Sequence, residues 1–369
     1  MAGDRGVDSP ETHSAFSIHY MQCSTMLFRI VFLGFGTVAQ GLARILIQKE
    51  SLLKRTYGFE FKIVAVSDIG KGSVLNNRGL DLSRLLAITQ KRGSLDMYRG
   101  AVNGLSSLDT LRKADATMLV EATWTNLKDG EPGLAHIRTA LNRGLHVVTT
   151  NKGPIALAYE ELEALARKKK RHLRFEGTVM SGTPAINLVT ETLAGSAVKS
   201  IRGILNGTTN YILTEMESGK SYSDALGRAQ ELGYAEADPT ADVEAWDPTA
   251  KIVIISNVLM RGRVKVSQVR REGITKITQT DVESARLEGK RIKLVASAFR
   301  EGNEVKAQVL PERVPTSDIL AHVSGVLNAI TVSTDVQPDI SVIGPGAGGD
   351  SAGYALLSDM LAINRALGD

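Results

Sequence analysis

The run Leu27-Phe28-Arg29-Ile30-Val31-Phe32-Leu33, followed at once by Gly34-Phe35-Gly36-Thr37-Val38-Ala39-Gln40-Gly41, is the stretch that most narrows what this chain can fold into. A short apolar run suits a strand buried on both faces of a parallel sheet. Leu42, Ala43, Ile45, Leu46 and Ile47 then continue at helical spacing. Strand, glycine turn and helix together give a G-x-G-x-x-A string meaning as a dinucleotide fingerprint; the same string alone could be a plain strand-to-helix turn. The first glycine makes the tight turn and the second lets a pyrophosphate approach the backbone. The helix N-terminus then faces the phosphate charge. Gly34, Gly36, Thr37 and Val38 are the expected cofactor contacts.

A second strand is predicted at Phe61-Lys62-Ile63-Val64-Ala65-Val66-Ser67-Asp68. An acid at its end, bound to a ribose hydroxyl, favours NAD, and the fingerprint expects it about 20 residues after the glycines. Residues 48–60 lengthen that separation here with extra helix or loop. Ser67 could instead meet a 2′-phosphate paired with Lys71, so NAD and NADP both stay open. Two more buried strands are predicted, at 117–122 and 145–150. They deliver Thr123-Trp124-Thr125-Asn126 and Asn151-Lys152-Gly153-Pro154 to the end of the sheet where ligands bind. A lysine on a tight turn there can point into the cleft or simply be solvated.

The densest chemistry lies in Gly233-Tyr234-Ala235-Glu236-Ala237-Asp238-Pro239, Asp242 and Asp247-Pro248-Thr249-Ala250-Lys251. Each Asp-Pro reads as an N-cap and helix start. Asp247 and Lys251 are four apart on one helical face, with an apolar helix beyond them. Asp247 could be only a cap, and Lys251 only its surface partner. The converging acids Glu236, Asp238 and Asp242 instead fit a site for a substrate ammonium plus one proton-transfer group. Upstream, Asn206-Gly207-Thr208-Thr209-Asn210 opens a helix, and N–H groups and hydroxyls at a helix start suit a carboxylate.

These segments resemble the homoserine dehydrogenase family, from G-Y-x-E-x-D-P through D-x-x-x-K to T-N-K-G-P and N-G-T-x-N-Y-I. The resemblance runs from about Phe28 to Met360 and implies the short monofunctional form. It implies NAD(P)-dependent interconversion of L-aspartate 4-semialdehyde and L-homoserine, and a homodimer. It places Lys251, Asp247 and Lys152 at the reacting centre. Glu236 and Asp242 fall with the substrate amino acid, and Gly207 and Thr208 with its carboxylate. Thr123, Lys152, Gly344 and Gly346 fall with the cofactor, the last two in a glycine turn closing over the nicotinamide. The turn from Glu176 to Pro184 resembles the family's sodium site, which implies Glu176, Val179, Ser181 and Thr183 as ligands, mostly through main-chain oxygens. One departure is Ala352, where the family usually has Thr.

The fold class expected is an α/β Rossmann-type dinucleotide-binding domain plus an α+β substrate and dimerisation domain with a mixed or antiparallel sheet. Residues 1–25 are expected to be a disordered extension and 26–153 the dinucleotide-binding domain. Residues 154–340 would form the second domain, its sheet including strands near Leu173 and Ile201, and 341–369 would return to the first. Of 369 residues 43% are apolar, enough for two cores. The net charge is +4 and aromatics are 5%, so no nucleic-acid platform is expected. No apolar run reaches the roughly 18 residues of a membrane span. Cys23 is the single cysteine and stands in the tail, so no intrachain disulfide can form and a cytoplasmic location is expected. That argues against aspartate-semialdehyde dehydrogenase, which needs a cysteine nucleophile. A dinucleotide-binding sensor without turnover is the rival from another class.

Overall fold

Strand and helix alternate from the start, and a computed structural model of the protein describes residues 26–368. The extension over 1–25, with Cys23, lies outside the described residues. The first lobe begins with β1 (Met26–Leu33), α1 (Thr37–Tyr57), β2 (Phe59–Asp68), β3 (Gly72–Leu75) and α2 (Leu82–Arg92). It continues through β4 (Val102–Asn103), α3 (Ser107–Lys113), β5 (Met118–Glu121), α4 (Gly133–Asn142), β6 (His146–Thr149), α5 (Lys152–Lys168) and β7 (Leu173–Arg174).

The strand order is β4-β3-β2-β1-β5-β6-β7. β2, β1, β5, β6 and β7 are parallel; β3 and β4 form an antiparallel edge. The order reverses between β1 and β5, so the crevice for a ligand opens where Gly34 and Thr123 leave their strands. The added length before Asp68 is helical, since α1 runs on to Tyr57. One expectation is corrected: the strand at Leu173 pairs with β6 in this sheet, not in the second. α5 is a crossover helix, and such a connection returns the chain parallel to the strand it left.

The second lobe contains β8 (Val198–Ile204), α6 (Gly207–Glu217), α7 (Tyr222–Glu231), α8 (Thr240–Val243), α9 (Trp246–Leu259), β9 (Arg270–Arg271) and α10 (Gln279–Leu287). It ends with β10 (Lys290–Glu301), β11 (Glu304–Pro315), β12 (Leu327–Thr334) and β13 (Ile340–Pro345). The sheet order is β13-β12-β8-β10-β11-β9, antiparallel except where β9 meets β11. The mixed Rossmann-plus-α+β architecture is therefore present as expected. α6, α9 and α10 pack on the sheet. α9 is buried from Pro248 to Ser256, and each enclosed Ile or Val there contributes roughly 1.5–3 kcal/mol. That burial fixes where the start of α9 stands.

The last helix, α11 (Gly349–Gly368), lies along α1. A Cβ on Gly41 would come within 2.5 Å of Gly349 O, and one on Gly353 within 2.5 Å of Leu42 N. The two backbones are therefore in direct contact. Leu356, Leu357, Met360 and Ile363 share the core of Phe28, Phe32 and Leu42. The helix begins at Gly349, and Gly344 belongs to β13 rather than to the glycine turn expected there.

Candidate active site

The glycine turn is shaped by backbone crowding. Gly34 has φ 85°, and a Cβ there would lie 2.3 Å from Ala122 O, so β1 and β5 leave room for hydrogen alone. A Cβ on Gly36 would meet nothing within 4 Å. Gly36 caps α1 without a side-chain bond to the first turn, and no acid stands in that turn. Free N–H groups beside open space, with the helix dipole behind them, fit a pyrophosphate. Thr37 and Val38 are the first residues of that turn. Asp68 Oδ2 accepts from Phe35 N at 2.8 Å and Oδ1 from Gly70 N at 3.0 Å. Lys71 Nζ is 3.5 Å from Asp68 Oδ1. Ser67 is buried in β2, and its carbonyl accepts from Gly34 N at 2.8 Å.

Five polar side chains from both lobes meet across the crevice. Lys251 Nζ donates to Asp247 Oδ2 at 2.8 Å and to Leu205 O at 2.7 Å. Lys152 Nζ lies 3.3 Å from Asp247 Oδ1. Asn206 Nδ2 donates to Asp242 Oδ1 at 2.7 Å and to Asp247 Oδ2 at 3.0 Å. Lys251 is only 7% exposed, and apolar residues surround it on α9. Burial and the Lys152 charge lower its pKa against the pull of Asp247. Burial alone would raise the Asp247 carboxyl, but the ammonium groups of Lys251 and Lys152 hold it well below the usual range. Burial, with the Asp247 charge adding to it, pushes Asp242 up against its Asn206 hydrogen bond.

Local structure explains the convergence. α9 starts one residue before Asp247, and Ala245 precedes it with φ 61°. Asp247 is therefore not the N-cap the Asp-Pro pattern predicts; its carboxylate is free to face the two lysines. At the other pair, Asp238 Oδ1 accepts from Thr240 N, and α8 begins at Thr240, after Pro239. Lys152 is not on a loop: it is the first residue of α5, whose N-cap is Asn151. Asn206 caps α6 through Oδ1 to Thr209 N at 2.9 Å, which turns its Nδ2 toward the carboxylates. Sequence reasoning passed over Asn206; its place at a helix start was the signal available.

Similarities to known proteins now bear on this arrangement. Residues 34–176 match the family model described as "Homoserine dehydrogenase, NAD binding domain", and residues 184–361 the one described as "Homoserine dehydrogenase". The chain belongs to the homoserine dehydrogenase family. It is 41% identical over 339 residues to an NAD(+)-dependent homoserine dehydrogenase of Pseudomonas canavaninivorans, covering 92% of this chain and 96% of that one. It is 41% identical over 335 residues to a homoserine dehydrogenase of Methanocaldococcus jannaschii, covering 90% and 98%. Among solved structures, a putative homoserine dehydrogenase of Archaeoglobus fulgidus superposes with TM-score 0.82 at 36% identity, over 91% of this chain and 99% of that one. A hyperthermophilic archaeal homoserine dehydrogenase in complex with NADPH gives TM-score 0.79 at 28% identity, over 92% and 98%. The family's enzymes are NAD(P)-dependent oxidoreductases acting on a CH–OH group.

Other predicted residues of this homoserine dehydrogenase chain stand outside the lysine cluster or play visible structural parts. Glu236 is exposed, and among the described residues its side chain makes no hydrogen bond or ion pair. Gly207 begins α6 where a Cβ would meet Val326 O at 2.6 Å, and Thr208 Oγ1 donates to Tyr234 O at 2.7 Å. Thr123 Oγ1 donates to Glu121 and accepts from Asn151 Nδ2 at 3.1 Å. Gly344 packs on Thr183 and Gly346 on Asn328, so both are small for contacts within the chain. In the candidate cation turn the Glu176 carboxylate is engaged by the N–H groups of Ala185, Ile186 and Asn187 at 2.6–3.0 Å. Ser181 has φ 55°, and Thr183 Oγ1 donates to Pro345 O at 2.9 Å. Among the described residues no group of three or more His, Cys, Asp or Glu side chains is placed to hold a metal. Ala352 is buried in α11.

Proposed function

We propose that Lys251 is the proton-transfer group for the family's reaction, the NAD(P)-dependent interconversion of L-homoserine and L-aspartate 4-semialdehyde. The nicotinamide cofactor, when bound, supplies or accepts the hydride at substrate C4. Negative charge then develops on the aldehyde oxygen during reduction. Lys251 has three N–H donors and commits two of them, to Asp247 and Leu205 O, so the third can meet that oxygen. Asp247 fixes the direction of the ammonium. Lys152, from the nucleotide lobe, adds a second positive charge facing the same oxygen. Asp242 and Glu236 are assigned to the substrate ammonium, and the start of α6 at Gly207 and Thr208 to its carboxylate.

The observation that carries this assignment is the meeting of Lys251 and Lys152 on one half-buried carboxylate across the crevice. Asp68, already turned to the glycine loop, favours NAD, because a 2′-phosphate there would face its charge. The turn at Glu176, Val179, Ser181 and Thr183 is assigned a sodium ion through main-chain oxygens. The face of the second sheet that carries Leu327, Ile343 and Phe299, at 36–43% exposure, is assigned to a second copy of the chain. A cytoplasmic location is assigned on the single cysteine, which can form no intrachain disulfide. Nicotinamide absorbance with homoserine and either NAD or NADP tests the activity. Cofactor binding without homoserine oxidation would replace the enzyme with the sensor reading.

A further inference from the structure

Glu121 ends β5 with its side chain wholly enclosed, at 0% exposure. Its Oε1 accepts from Thr123 N at 3.3 Å and from the Thr123 hydroxyl, and its Oε2 accepts from Thr149 Oγ1 at 3.1 Å. His136 Nδ1 lies 3.5 Å from Oε1, and His136 Nε2 is 2.8 Å from Ser107 Oγ. Both threonine hydroxyls give their protons to this carboxylate. Each hydroxyl then presents a lone pair on its other side.

Both lone pairs are taken by one residue. Asn151 N donates to Thr149 Oγ1 at 3.0 Å, and Asn151 Nδ2 donates to Thr123 Oγ1 at 3.1 Å and to Trp124 O at 3.1 Å. Asn151 Oδ1 accepts from Gly153 N at 3.1 Å and so caps the helix whose first residue is Lys152. The chain of bonds runs from the middle of the sheet to the lysine that reaches across to Asp247.

We propose that Glu121 is a positioning residue, which holds Lys152 at Asp247 by orienting two hydroxyls that grip Asn151. The inference rests on Lys152 acting in the reaction as assigned above. Charge matters here more than shape. A glutamine of the same size would turn an NH2 group toward one threonine, and that hydroxyl, its acceptor lost, would be free to rotate and no longer be held with a lone pair toward Asn151.

The test compares Glu121→Gln, Lys152→Met and the double variant in homoserine oxidation, resolving kcat from KM. Glu121→Gln should lower kcat by about tenfold or more, yet change it less than about twofold when added to Lys152→Met, because residues acting as one unit are not additive. Full kcat in Glu121→Gln, or losses that multiply fully in the double variant, would overturn the proposal. If Lys152→Met alone keeps full kcat, the assignment of Lys152 falls and the proposal falls with it, which the first two results do not imply. Should Glu121→Gln not fold, Thr149→Val removes one oriented hydroxyl at nearly constant volume. It should lower kcat by about threefold in the parent, and an equal loss in the Lys152→Met background would overturn the proposal.

Discussion

Lys152 and Asp247 belong to different lobes, and their side chains meet at 3.3 Å. With Lys251 on the same carboxylate, the floor of the crevice holds two ammonium groups against one fully charged acid, Asp247, and a second, Asp242, whose pKa burial raises. Lys152 and Asp247 keep 26% and 17% of their side-chain surface in solvent, and the attraction in such a set does little more than offset the desolvation of its charges. The cluster therefore positions groups for chemistry more than it adds stability.

Replacing Lys251 by Ala should lower kcat by about 10²-fold or more, the usual weight of a general acid or base, with cofactor affinity nearly unchanged. Its lowered pKa sets the pH profile. Aldehyde reduction needs the ammonium and should lose rate below the ordinary lysine range as pH rises. Homoserine oxidation needs the free amine and should gain rate over the same interval. Initial rates in both directions across pH would show this; parallel profiles would exclude the role.

Gly34 and Gly36 should part company under the same substitution. Gly34→Ala drives a methyl group into the Ala122 carbonyl and should unfold at a clearly lower temperature. Gly36→Ala meets no atom and has an extended φ of −80°, so its melting temperature should hold. Its cofactor dissociation constant should nonetheless rise by about tenfold, since the methyl stands where the pyrophosphate approaches. Calorimetric melting and cofactor titration of the two variants give the comparison.

The proposed NAD preference rests on the charge of Asp68. Asp68→Ser removes the acid beside the glycine loop and frees Lys71 from its 3.5 Å pair. The ratio of kcat/KM for NADP over NAD should rise by about tenfold, near the weight of one close charge pair. An unchanged ratio would move the determinant elsewhere.

Asp359 on α11 makes the protein less stable as pH rises. It accepts from Glu176 N at 2.9 Å and from Asn187 Nδ2 at 3.1 Å, and burial, with the Glu176 charge adding to it, pushes its pKa up to about 7. A raised acid pKa means the folded state binds more protons than the unfolded one between about pH 4 and 7. Stability must fall across that window and level off above it. Asp359→Asn should remove this slope, so its advantage in melting temperature over the parent grows from pH 5 to pH 7 and then stays constant. A difference independent of pH would contradict the assignment.

Much of this was readable beforehand because local patterns carried it. The alternation of apolar runs with helical spacing marked the first lobe, and an i, i+4 pair marked Asp247 with Lys251. What escaped depended on pairing between distant segments. Nothing local distinguishes β7, two residues long, as a strand of the first sheet and not the second. Asp247 looked like a cap because Asp-Pro favours one, but Ala245 in a left-handed conformation starts the helix a residue early. The role of Asn206 required knowing that Asp242 and Asp247 both lie within reach of one amide.

The close seat of α11 on α1 has a consequence for synthesis on the ribosome. Strands and helices through Arg174 emerge early, yet Leu356, Leu357, Met360 and Ile363 are needed to close the hydrophobic interior around Phe28 and Phe32. The nucleotide-binding half must wait, partly open, until α11 leaves the exit tunnel. The nascent chain thus has no finished cofactor lobe before α11 is made, and a truncation that deletes α11 should strand that lobe in an aggregation-prone form.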